Sequence, residues 1–343
     1  MKKLMLIAAA CVALASCVKN EVEPIVNNAP ISFQAVQGLQ HTRATYDTAV
    51  PFAASAFLLD ETETWAANGK TAAVEPYFLL QTVTWNTNEA NEWTTADPYY
   101  WPIQDKLVFF AHSPATFDTA PTIEIDATTK AYSFTGYDVD ANSNTDFMVA
   151  TVTDAINYAK SDNKVPVAFN HKLTQISFAV KTSADYPTNK TIAVNKIVLT
   201  GLANKGDLVL DYNGAAATAI GWTNQAKPSP AVEYVYFDGS KAISGETAIT
   251  ANTGAQTIFL PQNFVGNDDA KVIVDYTITT NIGGAISTEQ VKGIEVKLKA
   301  GTPTAWEMNK HITYVISVAP GKRILWAQPT INDWTTETGS LAI

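Results

Sequence analysis

The residue with the clearest chemistry is Cys17, preceded by Leu14-Ala15-Ser16. Lys2 and Lys3 open the chain, and Leu4–Ala15 follows as an apolar run of about a dozen residues, the layout of a signal peptide. Small residues ahead of a cysteine are the pattern at which a lipoprotein signal is cut, leaving the Cys17 thiol to be acylated. The run is too short to span a bilayer, which takes roughly 20 residues. A second group, Asp138, Asp140, Asn142, Asn144 and Asp146, alternates oxygen donors as calcium loops do. However, Ser143 stands where such a loop needs glycine and Val149 where it needs a bidentate glutamate, so the segment reads as a polar turn. His41, His112, His171 and His311 match no metal-ligand spacing, and no serine lies in a Gly-x-Ser-x-Gly elbow. No phosphate loop or dinucleotide fingerprint is present. No catalytic group, metal site or cofactor is expected.

Composition narrows the classes further. Cys11 and Cys17 are the only cysteines and both belong to the leader region, so the body has no thiol for disulfides, catalysis or metal binding. Cutting before Cys17 removes two lysines and leaves 21 basic against 33 acidic residues, net −12. Nucleic acid, whose phosphates need clustered Lys and Arg, is excluded as a partner. The same acidity disfavours charge-driven contact with an anionic membrane, so lipid on Cys17 would be the attachment.

The elements that must carry any site are strands. Ile31, Phe33 and Ala35 share one face of the first candidate, after a polar, proline-punctuated tether over Val18–Pro30. Alternation at period two recurs at Ile176, Phe178 and Val180, at Val272, Val274, Tyr276 and Ile278, at Ile294, Val296 and Leu298, and at Ile312, Tyr314, Ile316 and Val318. Shorter strands are expected at Leu107–Ala111, Phe147–Ala150, Val165–Phe169, Ile192–Leu199, Val232–Phe237 and Thr257–Leu260. One helical pattern, Thr153–Lys160, would make two turns with Asp154 and Lys160 placed to suit the helix dipole. Gly214–Ile220 is alanine-rich and reads as a loop. Turn formers cluster at Thr182–Thr191, which divides the chain into two halves of similar strand density. The expected fold is all-β, with two β-sandwiches in series. Trp65, Trp85, Trp93, Tyr99, Tyr100 and Trp101 crowd one region; strands use such residues for core packing, and exposed ones stack sugars.

The motifs taken in order carry a resemblance. A lipoprotein leader precedes Ile31-Ser32-Phe33 and Thr42-Arg43-Ala44. Tyr99-Tyr100-Trp101-Pro102, Leu107–Ala111, Asp146–Ala150 and Val167–Leu173 follow. Leu260-Pro261-Gln262, Trp306, His311–Tyr314 and Ile331–Trp334 complete the series. The ordered set resembles the fimbrillin (Mfa-like) family of type V pilins over nearly all of residues 31–343. The resemblance implies tandem transthyretin-like β-sandwich domains, surface assembly in place of catalysis, and processing by an arginine-specific protease. Arg43, followed by Ala44, is the matching position, and Arg323 is the only other arginine. The implied division is a signal peptide over 1–16, a lipidated tether and removable strand over 17–43, an N-terminal sandwich over 44–182 and a C-terminal sandwich over 183–343.

Cleavage would act by strand replacement. Loss of Ile31, Phe33 and Ala35 from the first sandwich would leave an unpaired edge over an apolar groove, open to β-augmentation by a neighbour. The chain end is the candidate donor, with Ile324, Trp326, Ile331, Trp334, Leu341 and Ile343 spaced along a polar stretch and Pro329 limiting one continuous strand. The expected function is a structural or tip subunit of a cell-surface fimbria. It would begin as an outer-membrane lipoprotein held by Cys17, and other fimbrial subunits, of its own or a related kind, would be its partners. The alternative is a surface lipoprotein that does not polymerise and binds a glycan or host ligand through its aromatic residues.

Overall fold

The computed structural model describes residues 25–37, 44–63, 65, 76–87, 91–102, 105–126, 131–139, 144–157, 164–211 and 218–334. In chain order the strands of the first half are β1 (Ile25–Pro30), β2 (Ser32–Gln37), β3 (Ala44–Thr45), β4 (Phe52–Leu59), β5 (Pro76–Asn86), β6 (Glu92–Thr95), β7 (Tyr100–Pro102), β8 (Lys106–Ser113), β9 (Thr122–Asp126), β10 (Ala131–Asp138), β11 (Met148–Ile156) and β12 (Lys164–His171). The second half begins with β13 (Thr174–Thr182), β14 (Lys190–Thr200), β15 (Lys205–Asp211), β16 (Thr218–Ala226), β17 (Glu233–Ala242) and β18 (Thr247–Ile249). It ends with β19 (Ile258–Phe259), β20 (Lys271–Ile282), β21 (Ala285–Lys297), β22 (Lys310–Ala319), β23 (Arg323–Trp326) and β24 (Thr330–Asp333). The chain is all-β, as its alternation predicts, and a single 3-10 turn at Leu298–Ala300 is the only helical element among the described residues.

Seven strands of the first half form a closed ladder in the order β12-β11-β8-β4-β5-β6-β2, because β2 also pairs with β12. Side chains alternate across this wall. Leu107, Phe109 and Ala111 of β8 point into the barrel core with Phe52, Phe78 and Phe169, while Val108 and Phe110 point to a second cluster outside it. That is why β8 reads as a continuous apolar run: both of its faces are covered. The outer cover is a four-stranded sheet, β16-β15-β10-β9, which brings Tyr132, Phe134, Leu208 and Leu210 against the barrel wall.

A third core lies between two sheets of the second half. One is β17-β14-β20-β21. The other is built on the parallel pair β13 and β22, with β18 and β19 beside β13 and β23 and β24 beside β22. Ile176, Phe178 and Val180 meet Val272, Val274 and Tyr276 across this sandwich, as the alternation predicts. In β21, Ile294 and Val296 are half-buried between exposed Glu295 and Lys297, and Leu298 is buried in the 3-10 turn after the strand ends.

Three expectations are corrected. Thr153–Ile156 continues strand β11 instead of starting a helix, because Ile156 pairs with Leu107 of β8; residues 158–160 lie outside the described residues. Thr218–Ile220 opens β16 and pairs with β15 instead of looping, while residues 214–217 lie outside the described residues. The turn at 183–189 does not coincide with the division between sheets. β13, ahead of it, belongs to the sandwich core, whereas β15 and β16, well after it, pair back onto β10. The chain leaves the sandwich for that pairing at Gly201, whose φ of +72° and whose approach to the Asp269 carbonyl leave no room for a Cβ atom.

Candidate strand-exchange site

The site is built around β2, the stave that closes the barrel. Ile31 and Phe33 are 2% exposed and Ala35 is buried beside them, so the three residues share the inward face predicted for them. Phe33 sits edge-on to Phe52 at 5.7 Å and to Phe109 at 5.9 Å, an arrangement that aromatic quadrupoles favour. Gln34, between these inward positions, is exposed.

The two edges of β2 are held unequally. Against β12 it makes a parallel ladder of six residue pairs, from Ser32↔Lys164 to Gln37↔Phe169. Against β6 it makes one, Phe33↔Trp93. Past that single pair β3 takes over, with Val36↔Thr45 and Gln37↔Ala44. The gap between them is an open groove of about 330 Å³, lined on one side by Phe33 and Val36 and on the other by Tyr46, Trp85 and Trp93. Lys164 of β12 and Glu92 of β6 form an ion pair at 2.9 Å, and since β2 lies between those strands the pair straps its outer face. The Ile31 amide donates to the Tyr99 carbonyl at 2.6 Å, and β1 continues onto β7.

Residues 38–43 join β2 to β3, and this linker carries Arg43, so the expected cut falls between two paired strands. Arg43 itself, Cys17, Leu341 and Ile343 lie outside the described residues, and of Ala44 only its backbone pairing with Gln37 is described. Beneath the groove, Tyr46 packs on Phe169 at 4.9 Å and shares a 2.6 Å hydrogen bond with the Ser113 hydroxyl. Burial raises its phenol well above the ordinary value, so it remains neutral.

The candidate donor residues are folded onto their own chain. Ile324 is buried in the sandwich core, and Trp326 packs on Tyr314 and donates its indole N–H to the Lys297 carbonyl at 3.0 Å. β23 and β24 pair end to end along β22, with Ile331 opposite Ile312 and exposed. Pro329 falls in the break between them, where no ladder bond is required of it. Trp334 leaves this edge and lies flat on the His171 ring, 4.2 Å away and 7° from parallel.

The other sequence candidates are used structurally. His112 shares a 2.6 Å hydrogen bond with Tyr132, and His311 shares one of 2.8 Å with Ser177. His41, Asp140 and Asn142 lie outside the described residues. Asp138 pairs with Lys205, Asp146 with His171, and the Asn144 carbonyl oxygen accepts from the Thr257 amide, so these three do not converge on one point. Trp65, Trp93 and Trp101 are buried in the cores, and Trp85, Tyr99 and Tyr100 are half-buried. Sequence reasoning missed the pairing of Lys164 with Glu92 and of Asp146 with His171, because partners brought together across a sheet leave no periodic trace.

Comparison with known proteins accords with this architecture. The fimbrillin-like family model matches residues 42–334. A fimbrial protein from Bacteroides vulgatus superposes with a TM-score of 0.61 at 18% identity, over 89% of this chain and all of its own. A protein from Bacteroides uniformis with a provisional cell-adhesion name covers 90% of this chain and all of its own at 17% identity, with a TM-score of 0.45. At such identities the likeness is one of fold. No curated protein matches the sequence. The family match spans well over half of the chain, which therefore belongs to the fimbrillin-like family.

Proposed function

We propose that this chain is a subunit of a cell-surface fimbria, exported as a lipoprotein acylated at Cys17, cut between Arg43 and Ala44, and assembled by exchanging β2 for a neighbour's strand. The observation that carries the reading is the position of β2. It is the last stave of a closed barrel, firmly paired on one edge only, and the only arginine in the first half of the chain lies in the linker that follows it.

Departure of β2 would bare the ladder edge of β12 and an apolar slot once filled by Ile31 and Phe33, each worth roughly 1.5–3 kcal/mol of burial. An extended segment with large side chains at alternate positions regains both terms, which is the energetic basis of β-augmentation. Ile324, Trp326, Ile331 and Trp334, followed by Leu341 and Ile343, form the candidate donor. Donation requires β23 and β24 to leave β22, so a subunit with its own tail docked is at rest.

The alternative of a non-polymerising glycan binder has less support, since three of the six clustered aromatic residues are buried in cores. N-terminal sequencing of the surface-assembled protein tests the proposal. Ala44 as first residue, together with a filament-free, lipid-bound Arg43→Ala variant, is expected. Filaments built from Arg43→Ala subunits that retain β2 would overturn it.

A further inference from the structure

We infer that β12 couples the two ends of the exchange reaction, so that loss of β2 from one end of this strand loosens the docked tail at the other through the His171–Trp334 stack. The inference rests on the strand-exchange reading and adds its regulation.

The two contacts lie on one short strand. Lys164–Phe169 of β12 pairs with β2, and His171 closes the same strand two residues later. His171 is buried and held from two directions. Its Nδ1 lies 2.6 Å from Oδ2 of Asp146, and its ring face carries the indole of Trp334. Only Lys172 and Leu173 separate His171 from β13, the first strand of the sandwich. There the Trp334 amide donates to the Asn309 carbonyl at 2.8 Å, and the Asn309 amide donates to the Leu173 carbonyl at 3.0 Å.

Trp334 is what secures this end of the tail. All four residues of β24 are exposed, and Trp334, the next residue, is 5% exposed in the cluster shared with Phe147, Val149 and Leu173. With β2 gone, β12 keeps only its pairing to β11, at Met148↔His171 and Val149↔Asn170. A strand with one short ladder fluctuates more than one held on both edges, and the ring it presents to Trp334 fluctuates with it. The cut that creates an acceptor groove thereby frees a donor, and an uncut subunit is neither.

Coupling of this kind is reciprocal, so it can be read without any cleavage. Hydrogen exchange is measured on the full uncut chain and on its Trp334→Ala variant. The expected result is exchange of the β2 amides over Phe33–Val36 at least about fivefold faster, the lower end of common coupling strengths, with the β20–β21 hairpin unchanged. Faster exchange in β24 alone, with β2 as in the parent, would overturn the coupling. Should Trp334→Ala loosen every strand, Trp334→Leu decides by the same criterion, since it keeps an apolar side chain and loses the stack. Filaments without coupled exchange would sink the coupling and leave the fimbrial reading; coupled exchange in a chain that never assembles would do the reverse.

Discussion

His112 sits between the barrel wall and the four-stranded sheet, with its ring parallel to Phe117 and edge-on to Phe134. Its Nδ1 shares a hydrogen bond with Tyr132, and its Nε2 is buried without a hydrogen-bond partner among the described residues. Burial lowers the imidazole from the ordinary 6.5 to about 4, because a charged ring in this apolar setting would lose its hydration. The folded chain therefore holds fewer protons at this site than the unfolded chain below about pH 6.5. Stability supplied by neutral His112 is fully present above that value and falls as pH drops toward 4. Between about pH 7 and pH 5 the loss amounts to about 2 kcal/mol. Urea unfolding of the parent and a His112→Gln variant at both pH values isolates the term, since carboxylate contributions cancel in the comparison. The variant is expected to lose about that much less on acidification. An identical loss in both proteins would show that His112 charges within the fold.

β2 is a strand whose two faces have different work. Phe33 fills the barrel, so Phe33→Ala is expected to cost about 3–5 kcal/mol in urea unfolding. Gln34 on the opposite face is exposed, and Gln34→Ala is expected to stay within about 0.5 kcal/mol. A reversal of the two effects would mean that the strand has slipped by one residue, which exchanges the faces. The face of β2 was legible in the sequence because Ile31, Phe33 and Ala35 alternate with polar neighbours, and the same holds for β13, β20 and β22. Its partners were not. A parallel ladder between Ser32–Gln37 and Lys164–Phe169 is a non-local pairing, and alternation records which face is buried without recording against what. The false helix at Thr153–Lys160 arose because Asp154 and Lys160 satisfied an end-charge rule that is weak beside the ladder β11 makes with β8. The candidate donor residues were visible as spaced apolar positions, yet their docking on β22 depends on a strand edge that the sequence does not announce.

At the scale of the whole molecule, the turn signals near 182–191 suggested two sandwiches strung in series, and the sheets interlock instead. β13 leaves the barrel strand β12 after two residues and enters the sandwich, and β15 and β16 return from the sandwich to complete the sheet on β10. Turn chemistry marks where a chain reverses but not which core it rejoins, so this crossing was illegible. Its consequence is a shared cluster. Phe110 and Val149 of the barrel, Phe134 and Leu208 of the covering sheet, and Ile258, Leu260 and Trp334 of the second half are buried together. Independent domains would melt separately, whereas cores joined through common side chains and a common sheet lose their packing together. Calorimetry of the chain is therefore expected to give one transition. Phe134→Ala, which empties a fully buried position in the shared cluster, should lower that transition as a unit, by about 3–5 kcal/mol in unfolding free energy. Two resolved peaks, with only one displaced by the substitution, would mean that the sandwich keeps its own stability; a tail docked on it would then gain nothing from the barrel, and the closed barrel could not hold the tail in reserve.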